Sequence, residues 1–90
     1  MSLLCQVFRS SSQQEMYLYV DKARGLRDVP DSLMAKFGEP TPVMLLHLTP
    51  QYKLARADAA LVLASIEAQG FYLQMPPTAA ALMARDGARG

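Results

Sequence analysis

Two short apolar segments near the start of the chain are separated by a purely polar run, and this arrangement constrains the fold most strongly. Residues 3–9 and residues 16–20 have the alternating side-chain pattern of strands. The run between them, residues 10–15, contains only Ser, Gln and Glu, which is typical of a hairpin loop. Because strands joined this closely pair antiparallel, the sequence predicts a sheet that begins with a hairpin.

Glycines and prolines separate the remaining predicted elements. These are a helix over residues 30–37, a strand over 43–48, a helix over 57–69, a strand over 71–75 and a last helix over 79–85. Residues 43–48 are apolar almost throughout, which predicts a strand inside the sheet or under a helix. The order β-β-α-β-α-β-α predicts an α+β domain, a two-layer α/β sandwich whose small, largely antiparallel sheet has three or four strands with about three helices.

Length and charge fit one small domain spanning residues 1–90, with residues 86–90 as a short flexible tail. Hydrophobic residues make up 51% of the chain and charged residues 19%, which is typical of a folded protein. The net charge of +1 gives no basic footprint for nucleic acid or a membrane surface. No signal peptide or apolar run of about 20 residues is present, so we expect a cytoplasmic protein with no membrane contact.

The sequence offers little material for catalysis. Cys5 is the only cysteine, and it shares a strand face with apolar residues, as an inert core thiol does. His47 is the only histidine and ends an apolar strand. The carboxylates are scattered, and no glycine-rich phosphate loop occurs. We therefore expect no enzyme activity, no catalytic residues, no metal and no cofactor.

Tyrosines on two predicted strands form the first candidate binding face. Tyr17 and Tyr19 share one face of the second strand, and Tyr72 and Gln74 share one face of the fourth. If these faces coincide and are open, the rings could stack on single-stranded RNA or contact a protein partner. Tyrosine is also a favoured strand residue, so the alternative is that helices cover the same rings as part of the core.

A second candidate is the corner formed by Arg9, Ser10 and Ser11 at the mouth of the hairpin. Its guanidinium, hydroxyl and N–H groups could bind an anion. Polar hairpin loops are common, however, and the alternative is an ordinary loop without a ligand.

The helix over residues 57–69 supplies the third candidate because it is apolar on two sides. One side carries Ala59, Val62, Leu63 and Ile66. The other side carries the stripe Leu61, Ala64 and Ala68. Either the last helix covers this stripe through Leu82 and Met83, or the stripe is an interaction surface.

Three sequence blocks follow one another over most of the chain. They are FRSS with MYLYV at residues 8–11 and 16–20, VPDSLM with FGEP at 29–34 and 37–40, and GFYLQMPP at 70–77. In this order and spacing they resemble the YcgL-like domain family, small bacterial proteins of uncharacterised function, over about residues 3–85. The resemblance implies a small α/β sandwich with an antiparallel sheet, and it supplies no catalytic residues.

These observations favour a non-enzymatic interaction or adaptor domain with an unknown protein partner. The alternative is an RNA-associated accessory domain that uses Tyr17, Tyr19 and Tyr72. The oligomeric state stays open. Exposure of the tyrosine face and of the Leu61 stripe distinguishes the two functions.

Overall fold

Four strands and two helices make up the computed structural model, which describes residues 2–54 and 57–75. They are β1 (Leu3–Arg9), β2 (Tyr17–Asp21), α1 (Asp31–Phe37), β3 (Thr41–Leu48), α2 (Ala59–Gln69) and β4 (Phe71–Gln74). The α+β class is therefore confirmed, and the described part of the chain contains two helices of the about three that were predicted. The last predicted helix, residues 79–85, lies outside the described residues. Neither α1 nor α2 is long and apolar enough to cross a membrane.

The β1–β2 hairpin forms the centre of a four-stranded antiparallel sheet with the order β3-β1-β2-β4. The third strand was predicted to lie inside the sheet or under a helix. It does not lie inside the sheet, but Leu46 and Leu48 near its end pack in the buried cluster with α2. Among the strands of the described residues, β3 pairs with β1 alone and is an edge strand. An apolar run indicates where side chains lie, whereas the number of strand neighbours depends on pairing between distant segments.

The two helices lie against opposite faces of the sheet. Since side chains alternate along a strand, Leu18 and Tyr19 point to opposite faces. Tyr19 packs in one buried cluster with α2, through its apolar side Ala59, Val62, Leu63 and Ile66. Leu18 packs in a second cluster with Phe37 of α1. The layers are helix, sheet and helix, so the two-layer arrangement was wrong, because the central hairpin is apolar on both faces.

Helix α2 has well-defined ends. The Asp58 carboxylate accepts a hydrogen bond from the Ala60 N–H at 2.9 Å, so the helix begins at residue 59 rather than the predicted 57. At the other end Gly70 adopts a φ of 94°, and its N–H donates to the Ile66 carbonyl at 2.8 Å. This cap turns the chain directly into β4.

Candidate functional site

The four predicted tyrosine-face residues do share one face of the sheet. Tyr17 lies opposite Gln74, and Tyr19 lies opposite Tyr72. The Tyr19 and Tyr72 rings meet edge to face with their centroids 5.8 Å apart, and the Tyr19 hydroxyl donates to Gln74 Oε1 at 3.0 Å. Only 7% of Tyr19 is exposed, and the other two rings are half-buried. Tyr19 is therefore a core residue with no ring face to offer a base.

The predicted anion corner ties the hairpin loop to the end of α1. The buried Ser10 hydroxyl donates to the Phe37 carbonyl, and it accepts the N–H groups of Ser12 and Gln13 at 3.0 and 3.1 Å. The Ser11 hydroxyl accepts the Glu39 N–H at 2.7 Å. Both hydroxyls therefore form hydrogen bonds with backbone groups of the protein.

Cys5 and His47 lie on opposite faces of the sheet. Cys5 pairs with Leu46 and is fully buried beside α2, while the neighbouring pair, Leu4 and His47, points to the other face. These two side chains therefore cannot form a nucleophile–base pair. In residues 2–54 and 57–75 no three His, Cys, Asp or Glu side chains are grouped as metal ligands.

The Cys5 thiol is expected to be unreactive in the folded protein. Burial raises the pKa of Cys5 from 9.0 to about 11, because the buried thiolate loses its hydration. At about pH 8 the thiolate population falls about 100-fold, so thiol reagents should label the native protein at least that much more slowly than the urea-unfolded chain. Equal labelling rates for the two states would contradict the burial of Cys5.

The β3 edge strand exposes three consecutive large apolar side chains. Val43 is 45% exposed, Met44 52% and Leu45 48%. Within β3 no residue carries a formal charge at pH 7 with His neutral. Edge strands in native proteins usually carry charges or other features that prevent pairing, so an apolar and uncharged edge is unusual.

The backbone of β3 also has hydrogen-bonding groups directed away from the sheet. The Lys22 N–H donates to the Leu4 carbonyl at 2.9 Å, which shows that even-numbered β1 residues bond to β2. Odd-numbered β1 residues therefore bond to β3, through partners such as Met44 and Leu46. The N–H and C=O groups of Leu45 and His47 must then point outwards. Within the described parts of the chain these groups make no hydrogen bond.

The first part of β3 is protected from pairing with a further strand, and the rest of β3 is open to such pairing. Pro42 lacks an N–H, and the register shift after Val7 leaves Val43 as an extra, bulged residue. The Gln6 side-chain amide donates to the Met44 carbonyl at 2.8 Å beside this bulge. Residues 44–48 follow without a further shift, and they offer an edge about 16 Å long.

The open edge is apolar on both faces of the sheet. Leu45 lies on the α1 face directly opposite Gln6. Leu4, two residues away along β1 on the same face, is 47% exposed because α1 packs over the β2 side of that face. Met44 lies on the α2 face opposite Val7. A strand placed beside β3 would therefore meet apolar side chains above and below its own plane.

The α2 stripe is open to solvent in the described structure. Leu61 is 65% exposed, and Ala64 and Ala68 are exposed too. The predicted cover, Leu82 and Met83, lies outside the described residues. Leu61 is the only large side chain of the stripe, so it offers less apolar surface than β3.

The β3 edge was missed by the sequence analysis, although one residue signalled it. Pro42 stands at the second position of β3. Proline in a sheet occurs on edge strands, at strand starts or at bulges. Within the described residues, the surface with the most exposed large apolar side chains therefore lies outside the three predicted sites.

Comparison with known proteins gives a consistent assignment. A family model described as "YcgL domain" matches residues 5–77. A YcgL domain-containing protein of Chromohalobacter salexigens is 61% identical over 74 residues, covering 82% of this chain and 77% of the relative. One from Pseudomonas aeruginosa is 53% identical over 77 residues, covering 86% and 79%. One from Hahella chejuensis is 53% identical over 74 residues, covering 82% and 70%.

Proposed function

The chain belongs to the YcgL domain family, and we propose that it is a non-enzymatic, cytoplasmic interaction module whose β3 edge accepts an extended segment of a partner protein. The observation that carries this proposal is the uncharged edge strand with Val43, Met44 and Leu45 about half exposed. The partner segment adds a fifth strand to the sheet.

Strand addition uses the backbone and the side chains for different purposes. The outward N–H and C=O groups of Leu45 and His47 bond to the partner's backbone, which provides affinity for an extended conformation. Alternate partner side chains then contact the two faces of the sheet. Apolar side chains of the partner would pack beside Leu45 on one face and beside Met44 on the other, and these contacts provide specificity.

Protein binding is favoured over RNA binding by burial and charge. The stacking platform of the RNA alternative needs Tyr19, which is 7% exposed and bonded to Gln74. The net charge of +1 adds no general attraction for phosphates. The separation of Cys5 from His47 supports the non-enzymatic part of the proposal.

Affinity capture with matched variants tests this function. Leu45→Pro removes one outward N–H and leaves the β1–β3 bonds of Met44 and Leu46 in place, so the variant should fold. Each variant is used to capture the partner from native lysate, with and without ribonuclease. Leu45→Pro should reduce the amount of captured partner at least about tenfold, because the binding depends on backbone pairing. Leu61→Ser alters an exposed side chain on α2 and should capture the partner as the unmodified protein does.

Three outcomes would contradict the proposal. Undiminished capture by Leu45→Pro would exclude the β3 edge. Loss of the partner with Leu61→Ser but not with Leu45→Pro would move the interface to α2. Loss of the partner after ribonuclease treatment would favour the RNA alternative.

A further inference from the structure

We infer that the segment bound at β3 is apolar and acidic, with one apolar side chain in a groove beside the strand and a carboxylate between Arg9 and Lys53. This inference rests on the proposed strand addition and specifies the chemistry of the partner.

The groove lies on the α2 face of the sheet, at the end where β1 finishes and β2 begins. It is a cavity of about 520 Å³. Apolar and aromatic side chains of three strands and of the segment before α2 line most of it, chiefly Val7, Tyr17, Leu46, Tyr52 and Leu54. Its dimensions and lining suit one large apolar side chain with part of its backbone.

The groove is continuous with the open edge. Val43 and Met44 belong both to the exposed part of β3 and to the groove lining. In an added strand every second side chain points to the α2 face. A strand paired with residues 44–48 would thus direct an apolar side chain towards Met44 and the groove.

The charges of the groove are of one sign. Among the described residues, Arg9 and Lys53 are the charged residues that line the groove, and no carboxylate of these residues lines it. Both are exposed, and in residues 2–54 and 57–75 neither forms an ion pair or a side-chain hydrogen bond. Glu15 lines the neighbouring hairpin cavity with Arg9 rather than this groove. Two cations beside an apolar cleft favour an occupant that carries a carboxylate.

Other occupants fit this charge pattern less well. A second copy of the chain would bring an uncharged β3 and another pair of cations, and the described residues of its groove supply no carboxylate. Residues 78–85 of this chain contain one arginine and no acidic residue. RNA phosphates would match the cations but not the apolar lining.

Peptide selection tests the inference. The probe is a display library of random peptides about 12 residues long, which exceeds the length of the open edge. Against the unmodified protein, enriched peptides should alternate apolar residues and contain Asp or Glu. The double variant Arg9→Glu/Lys53→Glu should bind these peptides at least about tenfold more weakly. A new selection against this variant should enrich peptides that contain Lys and Arg instead. The control Lys22→Glu/Lys36→Glu makes the same charge change elsewhere and should bind as before, apart from a small effect of net charge.

The outcomes separate this inference from the proposed function. Apolar peptides without acidic residues that lose binding with Leu45→Pro would overturn the inference and leave strand addition standing. Acidic peptides that bind Leu45→Pro unchanged would overturn strand addition, and no enrichment over an unrelated protein would overturn both.

Photocrosslinking identifies what contacts the groove in the absence of peptide. The Met44→Cys variant is labelled with a benzophenone at the introduced thiol, while the buried Cys5 stays unlabelled. A crosslink to a second copy or to residues 78–85 would overturn the inference.

Discussion

Phe37→Ala is expected to lower the free energy of unfolding by about 3–5 kcal/mol, because it leaves a large cavity between α1 and the sheet. Phe37 is fully buried with Leu18 and Val20 of β2 and with Val29 before α1. It is the one buried residue of this seven-residue helix. A domain of this size has about 5–10 kcal/mol of stability, so the variant should be close to unfolding.

Urea unfolding followed by circular dichroism measures this loss. Leu33→Ala is the matched control, because Leu33 lies on the same helix but is only half-buried. It should cost about 1–2 kcal/mol. A loss below about 1 kcal/mol for Phe37→Ala would contradict the packing of α1 on this face.

Gly70→Ala is expected to lower the free energy of unfolding by about 2–4 kcal/mol. Gly70 has a φ of 94°, which L residues rarely adopt. An added Cβ would also lie 2.5 Å from the Asp28 Cβ and 2.7 Å from Asp28 Oδ2. Asp28 is held by Arg24, whose Nε lies 2.6 Å from Oδ2, and this guanidinium lowers the pKa of the Asp28 carboxyl. Relief of the clash would therefore disturb that ion pair.

Gly25→Ala separates the two causes. Gly25 also has a positive φ, 62°, but an added Cβ there meets no atom within 4 Å. This control should lose only about 1 kcal/mol, the backbone contribution alone. Thermal and urea unfolding of both variants provide the comparison. Equal losses would contradict the close approach of the segment before α1 to the α2–β4 turn.

Local patterns were sufficient to predict the hairpin and the buried side of α2. Alternation over residues 3–9 and 16–20 placed side chains on the correct faces, and Tyr19 and Tyr72 do share a face. The 3.6-residue period identified Val62 and Leu63 among the buried residues of α2. These features depend on residues close together in sequence.

The position of β3 and the number of layers could not be read in the same way. Strand order results from pairing between distant segments, which an apolar run does not specify. Residues 16–20 did contain a signal for the layers, because every one of them is apolar or aromatic. A strand with one face in water usually alternates with polar residues. The β3 edge was missed because it is recognised by exposed apolar side chains. Whether such a side chain is exposed depends on which strands and helices lie beside it.

Backbone amide hydrogen exchange at β3 tests strand addition most directly. In the free protein the outward N–H groups of Leu45 and His47 should exchange rapidly, while those of Met44 and Leu46 are protected by β1. With a selected peptide at saturation, exchange at Leu45 and His47 should slow at least about tenfold. Unchanged exchange at both residues, with protection appearing on α2 or elsewhere, would contradict the account.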